Sequence, residues 1–330
     1  MSARPPIARP LMQRRDLWLT AALLGLMLFG LAGVAAATGW EETWAHIRAL
    51  RPWQIAALLA LAAVNYLCRA IRWHLYARVL AIPLSAVQTI RHYLGGFAMT
   101  VTPGRLGEFI RLRWIWLESG APVERSAPLV LMDRAADLAA IGLLVAISVA
   151  FSTIGPAAGL PVAALSILVA IMVTRARLLA AMLEGLWRIV GRWPRLFARA
   201  RRAARAIAPF SEWRVVLPAL ALGGIGWAAE GVSFWLLLTW MDAPLPLWTA
   251  IGIFLIATIT GGATGAPGGL GGAEAVMVGL LSLQGIPLSV SIPATAVIRL
   301  TTLWFAIAIG VLVFPIAARK ASRGAHATQS

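Results

Sequence analysis

Long apolar runs limit this chain to one class of fold. A helix needs about 20 apolar residues to cross a hydrocarbon layer about 30 Å thick. Apolar runs occur at residues 17–38, 55–67, 127–151, 159–174, 215–240, 248–266 and 293–318. Of the 330 residues, 60% are hydrophobic and 13% are charged, and the mean hydropathy is +0.81. This composition excludes an ordinary soluble domain and predicts an all-α polytopic membrane protein, a helical bundle.

The net charge of +16 does not indicate nucleic-acid binding. The basic residues flank the apolar runs, which is the distribution that orients a membrane protein. They lie before the first run and after the last one, at Arg4, Arg9, Arg14, Arg15, Arg319, Lys320 and Arg323. Because positive residues stay on the cytoplasmic side, we expect both termini in the cytoplasm.

The N-terminal apolar run has some features of a signal peptide, namely a basic start and small residues near its end. Its length of about 22 residues exceeds the usual apolar core of such peptides, which is about 7 to 15 residues. We therefore expect a retained first helix rather than a cleaved leader.

A short motif occurs twice in the chain, as PGRLG at residues 103–107 and as PGGLG at residues 267–271. At nearly the same offset, Arg134 and Arg299 each lie on the predicted helix after the motif, and an apolar run precedes each copy. Counting the spans places the start of the first repeat, at residue 49, outside the cell. The start of the second repeat, at residue 215, is placed in the cytoplasm. We therefore predict two inverted repeats, an arrangement that commonly forms a binding site near the membrane midplane.

Each motif predicts a broken-helix pair that enters and leaves the membrane on one side. Proline lacks an N–H and interrupts helical hydrogen bonding, while glycine accepts a tight backbone. The helix after each break presents free N–H groups and a positive dipole end, which favour an anion. The predicted hinge or break residues are Pro103, Gly107, Pro267 and Gly271.

The sequence predicts a single membrane domain over residues 1–330. Its parts are the N-terminal tail and first helix at 1–48, the first repeat at 49–151, a linking helix at 159–174, a cytoplasmic Arg-rich segment at 175–214, the inverted second repeat at 215–318 and a cytoplasmic tail at 319–330. The Arg-rich segment is expected to lie on anionic lipid.

Ionisable residues within predicted spans cost at least about 2.5 kcal/mol each, so each needs a partner or a function. Helical spacing puts Arg134 and Asp137 on one face, and likewise Glu108 and Arg111. We predict lipid or phosphate binding by Arg105, Arg111, Arg134, Arg299, Gly104, Gly268, Arg69 and Arg72. The acids Glu108, Asp133, Asp137 and Glu274 are predicted to balance charge or to bind a headgroup, and Glu230 is a further intramembrane acid without an assigned role.

Two alternatives stay open for these charges. The intramembrane residues could form structural ion pairs that close the bundle. Arg69 and Arg72 are expected near the cytoplasmic surface, where they either meet lipid phosphates or serve only as orienting or snorkelling arginines.

Signals for catalysis are poor. The four histidines are scattered without metal-ligand spacing, and Cys68 is the single cysteine, so no metal site is predicted. No Gly-Lys-Ser/Thr phosphate loop and no G-x-S-x-G motif is present. We therefore expect no catalytic residue, no cofactor and no enzyme activity.

Several motifs together carry a family resemblance. In order they are RAIRW, TPGRLGEFIR, MDRAADL and PGGLGGAEA, followed by a last helix with an arginine. This succession, from about residue 49 to residue 314, resembles the lysylphosphatidylglycerol synthase transmembrane-region family. The resemblance implies a protein of the bacterial inner membrane, similar to the flippase half of proteins that make aminoacylated phosphatidylglycerol. The soluble acyltransferase-like domain that performs the synthesis is not expected in this chain.

The leading functional hypothesis is a flippase for a phospholipid or a lipid-linked headgroup, of the aminoacyl-phosphatidylglycerol, glycolipid or polyprenyl-phosphate type. A second hypothesis is a non-catalytic membrane subunit that presents a lipid to a cytoplasmic biosynthetic enzyme. A third is an integral-membrane transferase, for which Glu108, Asp133 and Asp137 are the available acids or bases. The expected partners are therefore membrane lipids, with or without such an enzyme, and not nucleic acid.

Overall fold

A computed structural model of the chain describes residues 48–100, 102, 106–151 and 207–327, together with residue 45 and isolated positions between 161 and 191. All regular structure in these residues is helical, and four of the helices are long and apolar enough to cross a membrane. The prediction of an all-helical multi-pass membrane protein is confirmed. The predicted first helix lies outside the described residues, as do most of the linking helix and the Arg-rich segment.

The first half contains two long helices with a pair of short ones between them. Helix α1 spans Pro52–Val79, α2 spans Ala86–Gly95 and continues as a 3-10 turn over Gly96–Met99, α3 spans Leu106–Ser119, and α4 spans Val123–Phe151. Helix α1 begins with a proline, whose missing N–H costs nothing in a first turn. It extends well beyond the apolar run 55–67 because polar residues in its second half are buried against other helices.

The second half repeats this succession. Helix α5 spans Trp213–Trp240, α6 spans Leu247–Ala263, a 3-10 turn covers Pro267–Gly269, and α7 spans Gly272–Leu283. Helix α8 spans Leu288–Arg299, and a π-helical turn over Leu300–Trp304 joins it to α9, Phe305–Ala327. Both halves therefore contain, in order, a long helix, a short helix, a break, a short helix and a long helix.

The second break coincides with the second motif. In the second motif Gly268 and Gly269 have φ values of +64° and +68°, and Gly271, with φ +81°, caps α7. These are conformations that glycine adopts at low cost. Near the first motif, the 3-10 turn after α2 ends at Met99 and α3 begins at Leu106, and the predicted residues Pro103, Gly104 and Arg105 lie outside the described residues.

Gly107 does not lie in a break, contrary to the prediction. It is the second residue of α3, and a Cβ there would come within 2.2 Å of the carbonyl oxygen of Gly96. Its role in this structure is therefore a close approach between α3 and the 3-10 turn that follows α2.

The two halves interlock. Helices α1 and α5 pack along each other, α6 packs on α4 of the first half, and α9 packs on α2 and the turn after it. Small residues permit these contacts, since a Cβ on Gly226 would lie 3.2 Å from Asn65 Cα and one on Gly310 would lie 2.1 Å from the amide nitrogen of Ala98. Close backbone contact of this kind stabilises helix pairs in lipid, where apolar burial contributes little. The broken helices of each half consequently face a common space.

Candidate functional site

Helices α1 and α4 are joined by buried ion pairs. Arg72 Nη2 lies 2.6 Å from Asp133 Oδ1 and 2.6 Å from Asp137 Oδ1, and Arg69 Nη2 lies 2.8 Å from Asp137 Oδ2. Tyr93 donates a hydrogen bond to Asp133, and Trp227 of α5 donates one to Asp137, each at 3.2 Å. We call the two arginines and two aspartates the α1–α4 cluster.

The predicted surface location of Arg69 and Arg72 is wrong. The Arg72 side chain is 0% exposed and that of Arg69 is 12% exposed, because each turns inward to carboxylates on α4. Gly223 of α5 leaves the space that Arg72 occupies, since a Cβ there would lie 3.0 Å from Nη1. Arg72 therefore joins α1 to α4 and is enclosed by protein side chains.

Arg134 extends the cluster toward α3. Its Nε lies 3.2 Å from Glu108 Oε1, and its terminal nitrogens lie 3.2 Å from Asp133 and 3.5 Å from Asp137. The expected contact between Arg134 and Asp137 is thus present. The expected contact between Glu108 and Arg111 is not formed, because Glu108 is engaged by Arg134.

Arg111 is buried without an acidic partner. Its residue exposure is 4%, and no carboxylate within the described part of the chain lies within 4 Å of it. The guanidinium sits over the ring of Tyr93 at 4.0 Å from the centroid, with Trp73 and Phe97 within 6 Å. Among the residues that the structure describes, its Nε and Nη1 have no hydrogen-bond partner. Gly96 makes room for it, since a Cβ there would lie 2.2 Å from Nε.

The second half holds its arginine more simply. Arg299 Nε lies 2.6 Å from Glu274 Oε1, and Nη2 donates to the carbonyl of Gly268 at 2.7 Å. The arginine therefore binds the backbone of the break itself. The π-helical turn begins one residue later, and the Tyr66 hydroxyl of α1 donates a hydrogen bond to the carbonyl of Thr302 within that turn. Single π-helical turns are frequent at functional sites.

One cavity of about 430 Å³ receives residues from both halves. The predicted site residues that line it are Arg69, Gly107, Glu108, Arg111, Arg134, Asp137, Gly268 and Arg299. Arg72, Asp133 and Glu274 lie behind these residues as their ion-pair partners. Arg105, Gly104 and Pro103 lie outside the described residues, and Pro267 and Gly271 are part of the second break.

Three further residues of the cavity wall carry chemistry that the sequence did not assign. They are Tyr66, Trp227 and Glu230. A role for Glu230 could have been inferred from the cost of an ionisable side chain inside a span. When the two 28-residue helices α1 and α5 are aligned, Glu230 occupies the position of Arg69. The two aromatic residues gave no such signal, because aromatic side chains are common throughout membrane helices.

A second ionic contact joins α2 to α3 away from the cavity. Glu118 lies 2.5 Å from Arg91 Nη2 and 3.2 Å from His92 Nε2, and accepts a hydrogen bond from Gln88 at 2.9 Å. Burial favours a higher pKa for Glu118, but the bonds from His92 and Arg91 outweigh it and lower that pKa. Burial lowers the pKa of His92. This contact fixes the two short helices of the first half to each other.

The donors around the cavity suit an anion better than a metal. Within the described residues no group of three or more His, Cys, Asp or Glu side chains could hold a metal ion. Four arginines line the wall, and guanidinium groups bind phosphate through paired hydrogen bonds. Apolar and aromatic side chains make up much of the remaining surface, which suits a ligand that is partly lipid.

Comparison with known proteins gives two matches. The sequence model described as the lysylphosphatidylglycerol synthase TM region matches residues 18–310. A UPF0104 membrane protein of Methanothermobacter thermautotrophicus is 31% identical over 104 residues, which are 32% of this chain and 31% of that protein. The matched region therefore spans about a third of the length of this curated relative.

Proposed function

The chain belongs to the lysylphosphatidylglycerol synthase transmembrane-region family, because the family match covers most of its length, and from that premise we propose that it moves a phosphate-bearing lipid between membrane leaflets. The headgroup would enter the cavity between the two halves. The acyl chains would remain among the apolar side chains of the bundle. This activity needs binding and movement but no bond-making step.

The single observation that carries the proposal is the unpaired Arg111. A buried cation at membrane depth is costly, and such residues usually mark a ligand path or a functional partner. Arg111 is 4% exposed, lines the cavity and lacks a carboxylate partner in the described part of the chain. A lipid phosphate would supply the missing negative charge and the acceptors for its free N–H groups.

Two other arginines would complete the phosphate site. Arg134 and Arg299 come from different halves, line the same cavity and are held in place by acidic partners. Preorganised side chains lose little conformational entropy on binding. The phosphate would therefore be held between both halves of the chain.

The arrangement in the membrane is part of the proposal. We place both termini in the cytoplasm of a bacterial inner membrane, with the α2–α3 pair entering from the cytoplasm and the α6–α7 pair from outside. The two repeats would then be inverted, and their relative movement would open the cavity to each leaflet in turn. The repeated helix order and the break at the second motif support this arrangement.

The charge pairs argue against a transferase. Asp133, Asp137 and Glu108 each lie within 3.5 Å of an arginine. A carboxylate that is engaged by a guanidinium group is less available to contact a substrate. We therefore assign these acids to positioning the arginines.

Reconstitution tests the proposal directly. Wild-type protein in vesicles should move fluorescent phosphatidylglycerol between leaflets, as measured by chemical quenching of the outer leaflet. Arg111→Met should slow this movement about tenfold or more, because the lost charge-assisted bonds are worth roughly 1.5–3 kcal/mol. Arg113→Met is the matched control, since Arg113 is exposed on the same helix.

Two other outcomes of the reconstitution experiment would contradict the proposal or favour the alternative function. Equal rates for wild type and Arg111→Met would contradict the phosphate site. Retention of phosphatidylglycerol by purified wild-type protein without any movement would instead favour the alternative of a membrane subunit that presents lipid to a biosynthetic enzyme.

A further inference from the structure

Glu230 is the acidic counterpart of Arg111 in the cavity. It lies on α5, is 5% exposed and lines the cavity wall. Within the described residues no arginine, lysine or histidine lies within 4 Å of its carboxylate, and no hydrogen bond to it is formed. A buried acid in a span without a partner is costly in its charged form, so its state depends on what else enters the cavity.

The remaining charges around the cavity are matched. Asp133 and Asp137 pair with the arginines of α1, Glu108 pairs with Arg134, and Glu274 pairs with Arg299. Only Arg111 and Glu230 stay unpaired among these five arginines and five acids of the described chain. With both ionised, these ten described side chains carry no net charge. A bound phosphate would leave one uncompensated negative charge.

We infer that Glu230 takes up a proton when an anionic lipid headgroup binds at Arg111, so that lipid and proton cross the membrane together. This inference rests on the proposed function and adds its coupling ion. The proton comes from the water on the side to which the cavity is open and returns to water on the other side when the lipid leaves. No bond other than the O–H bond of the carboxylic acid forms or breaks.

The surroundings of Glu230 favour such an exchange. From α1 it is faced by Tyr66 and Arg69, from α4 by Asp137, and from α8 by Arg299, while α6 contributes no titratable side chain to the contact. Burial disfavours a charged Glu230, and the positive charge of the two arginines offsets part of that cost in the empty site. A phosphate placed among them offsets that charge, so protonation becomes the favourable way to remove a second negative charge. A neutral complex also crosses a charged membrane without electrical work.

Calorimetry of lipid binding tests the inference. Dihexanoyl phosphatidylglycerol is titrated into the full-length protein in detergent, in two buffers that differ in ionisation enthalpy, and over a range of pH. The difference between buffers gives the protons exchanged per lipid, which we expect to be about one taken up by wild type at its maximum. Glu230→Gln, which mimics the protonated acid, should bind the lipid at least as tightly with no proton uptake. Glu124→Gln, an exposed acid at the start of α4, should behave as wild type.

The outcomes separate this inference from the proposed function. Binding by wild type without proton uptake, or unchanged uptake in Glu230→Gln, would overturn the coupling role and leave lipid binding intact. Wild type could instead bind dihexanoyl phosphatidylethanolamine more tightly than dihexanoyl phosphatidylglycerol, in a way that depends on Glu230 and without proton uptake. That result would show that Glu230 binds the amine of the headgroup, and it would also overturn the coupling role. If wild type binds none of these lipids, the proposed function itself fails.

Discussion

The two halves of the chain hold their membrane arginines in different ways. In the first half Arg134 belongs to a network in which α1, α3 and α4 share several carboxylates. In the second half Arg299 has one carboxylate, Glu274, and one carbonyl at the break. The helix order is the same in both halves, but the polar chemistry is not.

This difference indicates a division of roles. Several ion pairs on three helices form a rigid unit, because moving one helix would expose several charges at once. A single pair next to a glycine-rich break can rearrange at lower cost. We therefore expect the first half to serve as the fixed part of the binding site and the second break to be the more mobile part.

The largest expected effect on stability comes from removing one acid from each half, in separate variants. Asp133→Asn should lower the free energy of unfolding by about 3–5 kcal/mol, because Arg72 is fully buried and loses one of the two carboxylates that lie 2.6 Å from it. Glu274→Gln should cost only about 1–2 kcal/mol, since Arg299 keeps the Gly268 carbonyl and faces the cavity. Unfolding in mild detergent, followed by circular dichroism, measures both.

A double variant controls for the loss of packing. Arg72→Met with Asp133→Leu should recover much of the stability lost in Asp133→Asn, because both buried charges are removed together. Equal losses in the two halves would remove the distinction between a rigid network and a simple pair.

A smaller effect is expected from the last glycine of each motif. Gly107→Ala should cost about 3 kcal/mol, because its Cβ would overlap a backbone oxygen that cannot move aside. Gly271→Ala should cost about 1–2 kcal/mol from its positive φ alone, since nothing lies within 4 Å of its Cβ position. Thermal unfolding of the two variants ranks them, and the reverse order would show that the first motif packs less tightly than described.

The smallest perturbation tests whether the halves are inverted. Ala86 is the first residue of α2 and Ala243 lies in the loop before α6, so single cysteines there report on the corresponding ends of the two short-helix pairs. A Cys68→Ser background removes the native thiol. If the repeats are inverted, a membrane-impermeant thiol reagent added outside intact cells should label Ala243→Cys and leave Ala86→Cys unlabelled. Labelling on the same side would contradict the inverted arrangement while leaving the fold unchanged.

The sequence was sufficient to assign the membrane class and the region of the site. Bilayer thickness imposes a minimum length on every span, so apolar runs predicted α4 and α5 within a few residues. The cost of a charge in lipid likewise singled out Arg111, Arg134 and Arg299, all of which line the cavity. Span length and the cost of a charge in lipid both depend on local composition. They can therefore be applied without knowing how the helices pack.

Tertiary structure alone decided which charges are paired and which are free. Spacing along α3 suggested a contact between Glu108 and Arg111, whereas the helix crossing places Arg134 beside Glu108 and leaves Arg111 against aromatic rings. The same crossing buries Arg72, which its position near a basic helix end had assigned to the surface. Ion pairs form over a few ångströms between residues far apart in the chain, so their choice of partner depends on how helices pack, which local spacing does not determine.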